Sequence, residues 1–134
     1  MEKTLCIIKP DAVANGFVEK INEKITSDGF EIIKSKKILI SREIAENFYA
    51  EHSKRPFFRE LVDFITSGEA VIQILEGKNV IKGYRSLMGA TNPKEADEGT
   101  LRALFAESLS KNAVHGSDSA ESAERELDIM SDIF

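Results

Sequence analysis

Runs of apolar residues predict four strands in this chain. Residues 4–9 and 70–75 form short, almost unbroken apolar runs that have the length of buried strands. Pro10 ends the first run because proline has no amide hydrogen to donate to a sheet. Residues 30–40 carry enough Ile and Phe for another strand, and a brief strand is predicted at residues 113–115. The long intervals between these strands leave room for helices.

Apolar residues at helical spacing predict those helices. They recur at this spacing over residues 17–25, until a DG pair at residues 28–29 ends the helix. Ser41 is suited to cap a helix whose apolar stripe continues to His52. Further helices are predicted at residues 57–66, 80–88 and 100–108, and from residue 118 or 119 to about 130.

The order of these elements predicts the fold class. It is a βαβ unit followed by a second βαβ unit with helical insertions, which is typical of an α/β sandwich of the ferredoxin-like, split βαβ kind. We expect a four-stranded antiparallel sheet with helices packed on one face. No repeat or low-complexity linker interrupts the pattern, so a single domain is expected over residues 1–134.

Composition excludes several classes of protein. The 134 residues contain 18 Lys and Arg against 23 Asp and Glu, a net charge of -5, which argues against non-specific nucleic-acid binding. No apolar run approaches the roughly 20 residues needed to span a bilayer. One cysteine and two histidines cannot form an internal disulfide or a Cys/His zinc cluster. The N-terminus has no secretory hydrophobic segment, so a cytoplasmic location without a membrane partner is expected.

The common phosphate-binding loops are missing from the sequence. It contains no G-x-x-x-x-G-K-[ST] loop and no G-x-G-x-x-G turn, and it also lacks the G-x-S-x-G nucleophile motif. If the protein handles nucleotides, its side chains must therefore bind the phosphates.

The segment most suggestive of chemistry is NAVHGSDS at residues 112–119. His115 leaves a buried strand there, and Gly116 allows another group to approach the backbone closely. Ser117 and the start of the following helix offer donors to a negative charge. Imidazole is a covalent nucleophile when its second nitrogen is held by a partner. From these residues alone, a histidine whose hydrogen bonds are merely satisfied in a strand-to-helix turn is the favoured interpretation.

Five further motifs, in order along the chain, resemble those of one family. They are IIKPDAV at residues 7–13, FYAEH at 48–52, RPFF at 55–58, LMGATNP at 87–93 and GTLRA at 99–103. Together with the segment around His115, they resemble the nucleoside diphosphate kinases over residues 3–130. The resemblance implies a ping-pong reaction: a nucleoside triphosphate, chiefly ATP, phosphorylates His115, and a nucleoside diphosphate takes the phosphoryl group from the phosphohistidine.

The resemblance also implies how the phosphates are bound. It implies Mg²⁺ as cofactor, held mainly by the nucleotide phosphates rather than by protein ligands. The residues that match the family's phosphate-contacting set are Lys9, His52, Arg85, Thr91 and Arg102. Taken without the motifs, the two arginines are ordinary surface residues at helix edges, and His52 could simply cap a carbonyl.

Other matches imply roles around the imidazole and the nucleoside. Tyr49, Ser117 and Glu126 match the residues that orient the imidazole and the Lys9 ammonium, although Glu126 alone reads as a plain helix surface charge. By the same resemblance, Asn112 acts with Lys9 on the sugar hydroxyls.

Base binding is assigned in the same way. The resemblance implies that Phe57 stacks on the base, with Leu109 on its opposite side. Phe57 and Phe58 adjoin, and only one side of a helix can face the core, so one of the two rings must have another role. Stacking uses the face that every base has, so broad base and sugar specificity is expected.

Assembly and two departures from the family pattern complete the predictions. Glu69 stands where proline is usual and Leu104 where aspartate is common. The resemblance implies homo-oligomers built from dimers, and the short tail ending in Ile133 and Phe134 favours a dimer or dimer-based tetramer over a hexamer. We expect both tail residues to pack on their own subunit or on its dimer partner.

Two other functions are less consistent with the sequence. A non-catalytic nucleotide-binding or regulatory module on the same fold is disfavoured because Lys9, Arg102, Asn112 and His115 are all present together. A nucleic-acid-binding protein is disfavoured by the negative charge and by the lack of an interleaved basic and aromatic surface.

Overall fold

Four strands form one antiparallel sheet in the computed structural model, which describes residues 1–134. They are β1 (Glu2–Ile8), β2 (Glu31–Ile38), β3 (Ala70–Gly77) and β4 (Val114–Gly116), in the order β2-β3-β1-β4. Strand β1 is paired along its whole length with β3 and near its carboxyl end with β4. The predicted sheet and its ferredoxin-like fold class are confirmed.

Seven α-helices connect or follow the strands. They are α1 (Pro10–Ala14), α2 (Val18–Ser27), α3 (Arg42–Phe48), α4 (Phe58–Ile65), α5 (Val80–Met88), α6 (Leu101–Phe105) and α7 (Ala120–Ile129), with 3-10 turns at Ala50–His52 and Ser131–Ile133. The longest of them have ten residues, and no helix is long and apolar enough to cross a membrane.

Three local predictions differ from the structure. Helix α1 was not predicted, because Pro10 was interpreted only as the end of a strand, whereas it also occupies the first turn of a helix, where its missing amide hydrogen costs nothing. The helix expected to reach His52 ends at Phe48 and gives way to a 3-10 turn. The helix expected over residues 100–108 ends at Phe105.

The helices cover both faces of the sheet, so the prediction of a single covered face is wrong. Successive residues of a strand point to opposite faces, and in β1 Leu5 and Ile7 belong to one apolar cluster while Cys6 and Ile8 belong to another. The first cluster contains α3 and α4, and the second contains α2 and α5. A sheet whose central strand is buried on both sides needs this arrangement.

Helix caps and the C-terminus agree with the sequence analysis. Ser41 Oγ accepts a hydrogen bond from the Ile44 amide at 3.2 Å, which confirms its predicted capping role. Ile133 is buried in a core cluster of its own subunit and Phe134 packs against that cluster. The Lys36 ammonium donates to the Ile133 carbonyl at 3.1 Å. We expected the tail to pack either on its own subunit or on a dimer partner, and the structure shows that it packs on its own subunit.

Candidate active site

His115 lies on β4, opposite Ile7 of the central strand, and its side chain is 22% exposed. Its ring meets the ring of Phe48 edge to face, with centroids 5.0 Å apart. The His115 side chain lines a cleft of about 190 Å³. The residues that line this cleft are Phe48, Tyr49, Glu51, His52, Arg85, Thr91, Arg102, His115, Gly116, Asp118 and Glu126.

A chain of hydrogen bonds fixes the imidazole from behind. His115 Nε2 lies 2.8 Å from Glu126 Oε1, and Ser117 Oγ donates to the same oxygen at 2.8 Å. The Leu5 amide in turn donates to Ser117 Oγ at 3.3 Å, which ties the chain to the central strand. A carboxylate oxygen can only accept here, so Nε2 carries the proton and Nδ1 keeps its lone pair.

Burial keeps the His115 imidazole neutral. It lowers the histidine pKa below 6.5, and the nearby cations Lys9 and Arg102 act in the same direction, while Glu126 partly opposes them. The ring is therefore uncharged at neutral pH. An uncharged ring with a free Nδ1 is the nucleophilic form of histidine.

Glu126 reaches this position because of how α7 begins. Ser119 Oγ caps the helix by accepting from the Ser122 amide at 3.1 Å. Two turns later, Glu126 lies on the face that packs on β1, where its side chain is only 9% exposed. Glu126 is thus no surface charge, and the structure brings it to the imidazole together with Ser117.

Lys9 is a buried cation that is held by an amide rather than by a carboxylate. It follows β1 directly, and its ammonium donates to Asn112 Oδ1 at 2.8 Å. Burial lowers the Lys9 pKa to about 8; the positive charge of Arg102 adds to the decrease and Asp11 opposes it. The structure thus brings Lys9 and Asn112 together, whereas no hydrogen bond joins Lys9 to Tyr49, Ser117 or Glu126.

Arg102 is also buried, whereas its position at a helix edge, taken without the motifs, suggests a surface residue. Its guanidinium donates to three main-chain carbonyls: Gly89 at 3.3 Å, Asn112 at 3.3 Å and Val114 at 2.9 Å. These bonds tie the loop after α5 to the segment before β4. They also point a rigidly held cation into the cleft.

The other predicted phosphate contacts line the same cleft. Arg85 is anchored by a 3.4 Å hydrogen bond from Nη1 to the Gly116 carbonyl, and Thr91 lies in the loop after α5. His52 ends the 3-10 turn and does not cap a carbonyl through its ring. Burial, together with the charge of Glu126, raises the Tyr49 pKa to about 12, so its hydroxyl stays protonated.

Phe57 and Leu109 lie outside the lining of the cleft. They are exposed by 42% and 59%, whereas Phe58 packs on a core cluster. One ring of the adjoining pair thus enters the core and the other faces solvent, as expected. The Phe57 ring lies 5.5 Å from that of His52, which places it beside the cleft entrance. The Leu109 carbonyl accepts from Asn112 Nδ2 at 3.1 Å.

Comparisons with known proteins agree with this geometry. The model of the nucleoside diphosphate kinase family matches residues 2–132. The nucleoside diphosphate kinase of Campylobacter jejuni is 57% identical over 130 residues, covering 97% of this chain and 95% of that protein. The chain belongs to the nucleoside diphosphate kinase family.

Relatives outside that genus show the same family. The nucleoside diphosphate kinase of the Wolbachia of Drosophila simulans is 54% identical over 127 residues, covering 95% of this chain and 91% of that protein. The crystal structure of the Aquifex aeolicus nucleoside diphosphate kinase superposes with a TM-score of 0.94 at 42% identity, covering 96% of this chain and 94% of that chain. The function and fold predicted from the sequence are confirmed.

Two acidic residues of this nucleoside diphosphate kinase were missed by the sequence analysis. Asp118 and Glu51 both line the cleft. A hydrogen bond from Ser122 lowers the Asp118 pKa, and Arg85 lowers it further, so this carboxylate is ionised. The placement of Asp118 beside the histidine in NAVHGSDS was the available signal. Glu51 lies within an unpredicted 3-10 turn, so the direction of its side chain could not be inferred from sequence.

Gly116 serves packing rather than ligand approach. A Cβ placed there would lie 2.7 Å from the ring of Tyr84 and 2.8 Å from the sulfur of Met88. The close approach predicted from sequence is therefore made by α5, which packs directly on β4. The two departures from the family pattern, Glu69 and Leu104, are both exposed and neither lines the cleft.

Proposed function

We propose that this nucleoside diphosphate kinase works by a ping-pong reaction through Nδ1 of His115. The Nδ1 lone pair forms a bond to the γ-phosphorus as the bond to the β,γ-bridging oxygen breaks, and the diphosphate leaves with that electron pair. A terminal oxygen of the second nucleoside diphosphate then forms a bond to the phosphorus of the phosphohistidine as the P–Nδ1 bond breaks, and the electron pair of that bond returns to Nδ1. The observation that carries this proposal is the Ser117–Glu126–His115 hydrogen-bond chain, which holds the proton on Nε2 throughout.

The charges around the imidazole suit this transfer. Phosphorylation at Nδ1 makes the ring cationic, and the Glu126 carboxylate at 2.8 Å from Nε2 stabilises that cation. On the other side, the transferring group spreads negative charge over its oxygens. We assign contacts with these oxygens to four polar residues of the cleft, His52, Arg85, Thr91 and Arg102. Lys9 does not line the cleft, and we add its buried ammonium to this set because it matches the family's phosphate-contacting residues.

We assign the nucleoside to residues that do not line the cleft. Lys9 and Asn112 form one hydrogen-bonded unit that offers donors to sugar hydroxyls. We assign base stacking to the exposed ring of Phe57, with Leu109 on the other side of the base. Stacking alone gives little discrimination among bases, which supports broad specificity. ATP is proposed as the chief donor from the family resemblance alone.

Mg²⁺ fits this site as an ion carried mainly by the nucleotide. No three metal-ligating side chains come together in the structure, yet the carboxyl groups of Asp118 and Glu51 both lie in the cleft with Arg85. Mg²⁺ commonly uses one or two carboxylates together with phosphate oxygens and water. Bound in this way, the ion would neutralise phosphate charge, and Asp118 or Glu51 would help to hold it.

We further infer that the chain is a single domain over residues 1–134, acts in the cytoplasm and assembles into homo-oligomers. The outer edge of β2 has no strand partner, and Leu39 after it is 62% exposed. An unpaired edge favours pairing with another chain. Because the tail is packed on its own subunit, a dimer or dimer-based tetramer is favoured over a hexamer. Light scattering over a concentration range tests this, and a micromolar monomer or a stable hexamer would contradict it.

Labelling with ATP tests the reaction. Protein incubated with γ-labelled ATP and Mg²⁺ should carry one acid-labile phosphate per subunit and release it to any added nucleoside diphosphate. His115→Gln should carry none, yet it should bind ADP nearly as well as the wild type. His52→Gln, which removes the other histidine, is the matched control and should still be labelled. Label that persists in His115→Gln would refute the assignment.

A further inference from the structure

We propose that Asp11 is a positioning residue of the nucleotide site. Its carboxylate holds the turn at residues 112–114 in an unfavourable backbone conformation, and in this conformation Asn112 fixes the Lys9 ammonium. The inference rests on the proposed function, because it concerns the same nucleotide site. Neither the motif that contains Asp11 nor the mechanism above gives this residue a task.

Asp11 joins two segments that are distant in sequence. It lies in the first turn of α1, and its Oδ2 accepts a hydrogen bond from the Ala113 amide at 3.1 Å. The other oxygen, Oδ1, is shielded from solvent and makes no hydrogen bond with the protein. A buried carboxylate oxygen without a partner is costly, so the contact with Ala113 is retained against a penalty.

Ala113 has an unfavourable backbone conformation, which its hydrogen bond to Asp11 would help to maintain. Its φ is +72°, a region that an alanine rarely adopts because its Cβ crowds the carbonyl. Its carbonyl accepts from the Lys9 amide at 2.8 Å, and the Val114 amide donates to the Asn112 carbonyl at 2.8 Å across it. Unfavourable backbone of this kind persists where its surroundings over-determine it, and it clusters at functional sites.

The turn decides where the Asn112 side chain points. Asn112 Oδ1 accepts from the Lys9 ammonium at 2.8 Å, and its Nδ2 donates to the Leu109 carbonyl at 3.1 Å. Lys9 has no carboxylate within ion-pair distance, so the amide of Asn112 is the group that holds its ammonium. If residue 113 relaxed to an ordinary φ, the peptide planes beside Asn112 would rotate and Lys9 would lose this partner.

A simpler role for Asp11 is to stabilise the N-terminus of α1 as an acidic residue in its first turn. That role predicts a change in melting temperature alone. The positioning role predicts changes at the turn and at the nucleotide site. Glycine adopts positive φ without the Cβ penalty, so Ala113→Gly should restore the turn when the carboxylate is absent. This rescue distinguishes the two roles.

The experiment compares the wild type with Asp11→Ala, Asp11→Asn, and Asp11→Ala combined with Ala113→Gly. Asp11→Ala should lower kcat/KM and ADP affinity by about 10- to 100-fold, because small misplacements in a site cost that much. Asp11→Asn keeps an oxygen that accepts from the Ala113 amide and should retain most of the activity. The double variant should recover at least fivefold over Asp11→Ala. The exposed carboxylate of Asp132 makes no hydrogen bond, so Asp132→Asn is the matched control and should behave as the wild type.

Crystal structures give a readout that does not depend on activity. In Asp11→Ala, φ of Ala113 should become negative and the distance from Lys9 Nζ to Asn112 Oδ1 should exceed 3.5 Å. An unchanged turn would overturn the proposal, as would a lower melting temperature with kcat/KM within twofold of the wild type, or a double variant as impaired as Asp11→Ala. A wild-type protein that is not labelled by ATP would instead refute the proposed function, and the turn geometry would still test Asp11.

Discussion

Replacing Glu126 by glutamine separates the effect of the negative charge beside the His115 imidazole from the effect of the hydrogen-bond geometry. Glu126 Oε1 accepts from two donors, His115 Nε2 and Ser117 Oγ, each at 2.8 Å. The oxygen of a glutamine can accept from the same two donors, whereas its NH₂ group would face them unfavourably. The amide should therefore turn its oxygen inward. The proton then stays on Nε2, the nucleophile stays on Nδ1, and only the negative charge is lost.

The size of the effect follows from the hydrogen bonds. A hydrogen bond to a charged group contributes about 1.5–3 kcal/mol and a neutral one about 0.5–1.5 kcal/mol. The phosphorylated ring is cationic, so the difference of about 1–2 kcal/mol falls mainly on the transition state, which corresponds to roughly a 5- to 30-fold slower phosphorylation. Glu126 also raises the His115 pKa against the effect of burial. Removing its charge lowers that pKa, so the acidic limb of the rate profile should move to lower pH.

Rapid-quench labelling with γ-labelled ATP measures both effects. The first-turnover rate should be recorded between pH 4 and 8 for the wild type, Glu126→Gln and the control Glu124→Gln. Glu124 is an exposed glutamate on the same helix, so its replacement should change neither the rate nor the pH profile. A Glu126→Gln rate within twofold of the wild type, with an unmoved acidic limb, would refute the role of the buried charge.

Three further predictions concern other parts of the site. The Lys9 pKa is lowered to about 8, so the ammonium is lost as pH rises through 8, and kcat/KM measured against pH should fall there rather than near 10.5. Phe57→Ala should weaken ADP, GDP, CDP and UDP alike, by about 1–3 kcal/mol in calorimetry, and a strongly base-dependent loss would contradict stacking. Gly116→Ala should destabilise the fold by about 1–3 kcal/mol in urea and slow the labelling of His115, because its Cβ would meet Tyr84 at 2.7 Å; unchanged stability would show that β4 can shift freely.

The sequence was sufficient for the sheet because each strand has a clear apolar run. One of these runs also indicates that its strand is covered on both faces. Residues 5–8 are apolar at every position, and such a run is typical of a strand buried on both faces, which is what the two core clusters show. Helix α1 escaped prediction for a different reason. Five residues are too few to display a helical period, and Pro10 indicates a strand end and a helix start equally well.

The candidate site residues were identified through motifs, and their local contacts could be seen only in the structure. Arg102 reads as a helix-edge arginine because the three carbonyls it binds come from two other segments of the chain. Glu126 reads as a surface charge because its partner, His115, lies 11 residues earlier on a strand. Long-range contacts of this kind leave no periodic trace. Asp11 shows the same point, since its contact with Ala113 spans 102 residues.

The electrostatics of the cleft explain why a site built from so few cations suits phosphates. Lys9 and Arg102 are both buried, and the loss of hydration lowers the pKa of each. The positive charge of Arg102 lowers the Lys9 pKa further. Hydrogen bonds to the amide of Asn112 and to three carbonyls hold the two cations in place without neutralising them. A carboxylate paired with either one would have to be displaced before a phosphate could bind. Under the proposed mechanism, the positive charge is therefore in place and unpaired before the nucleotide binds, so the two side chains need no reorganisation during the transfer.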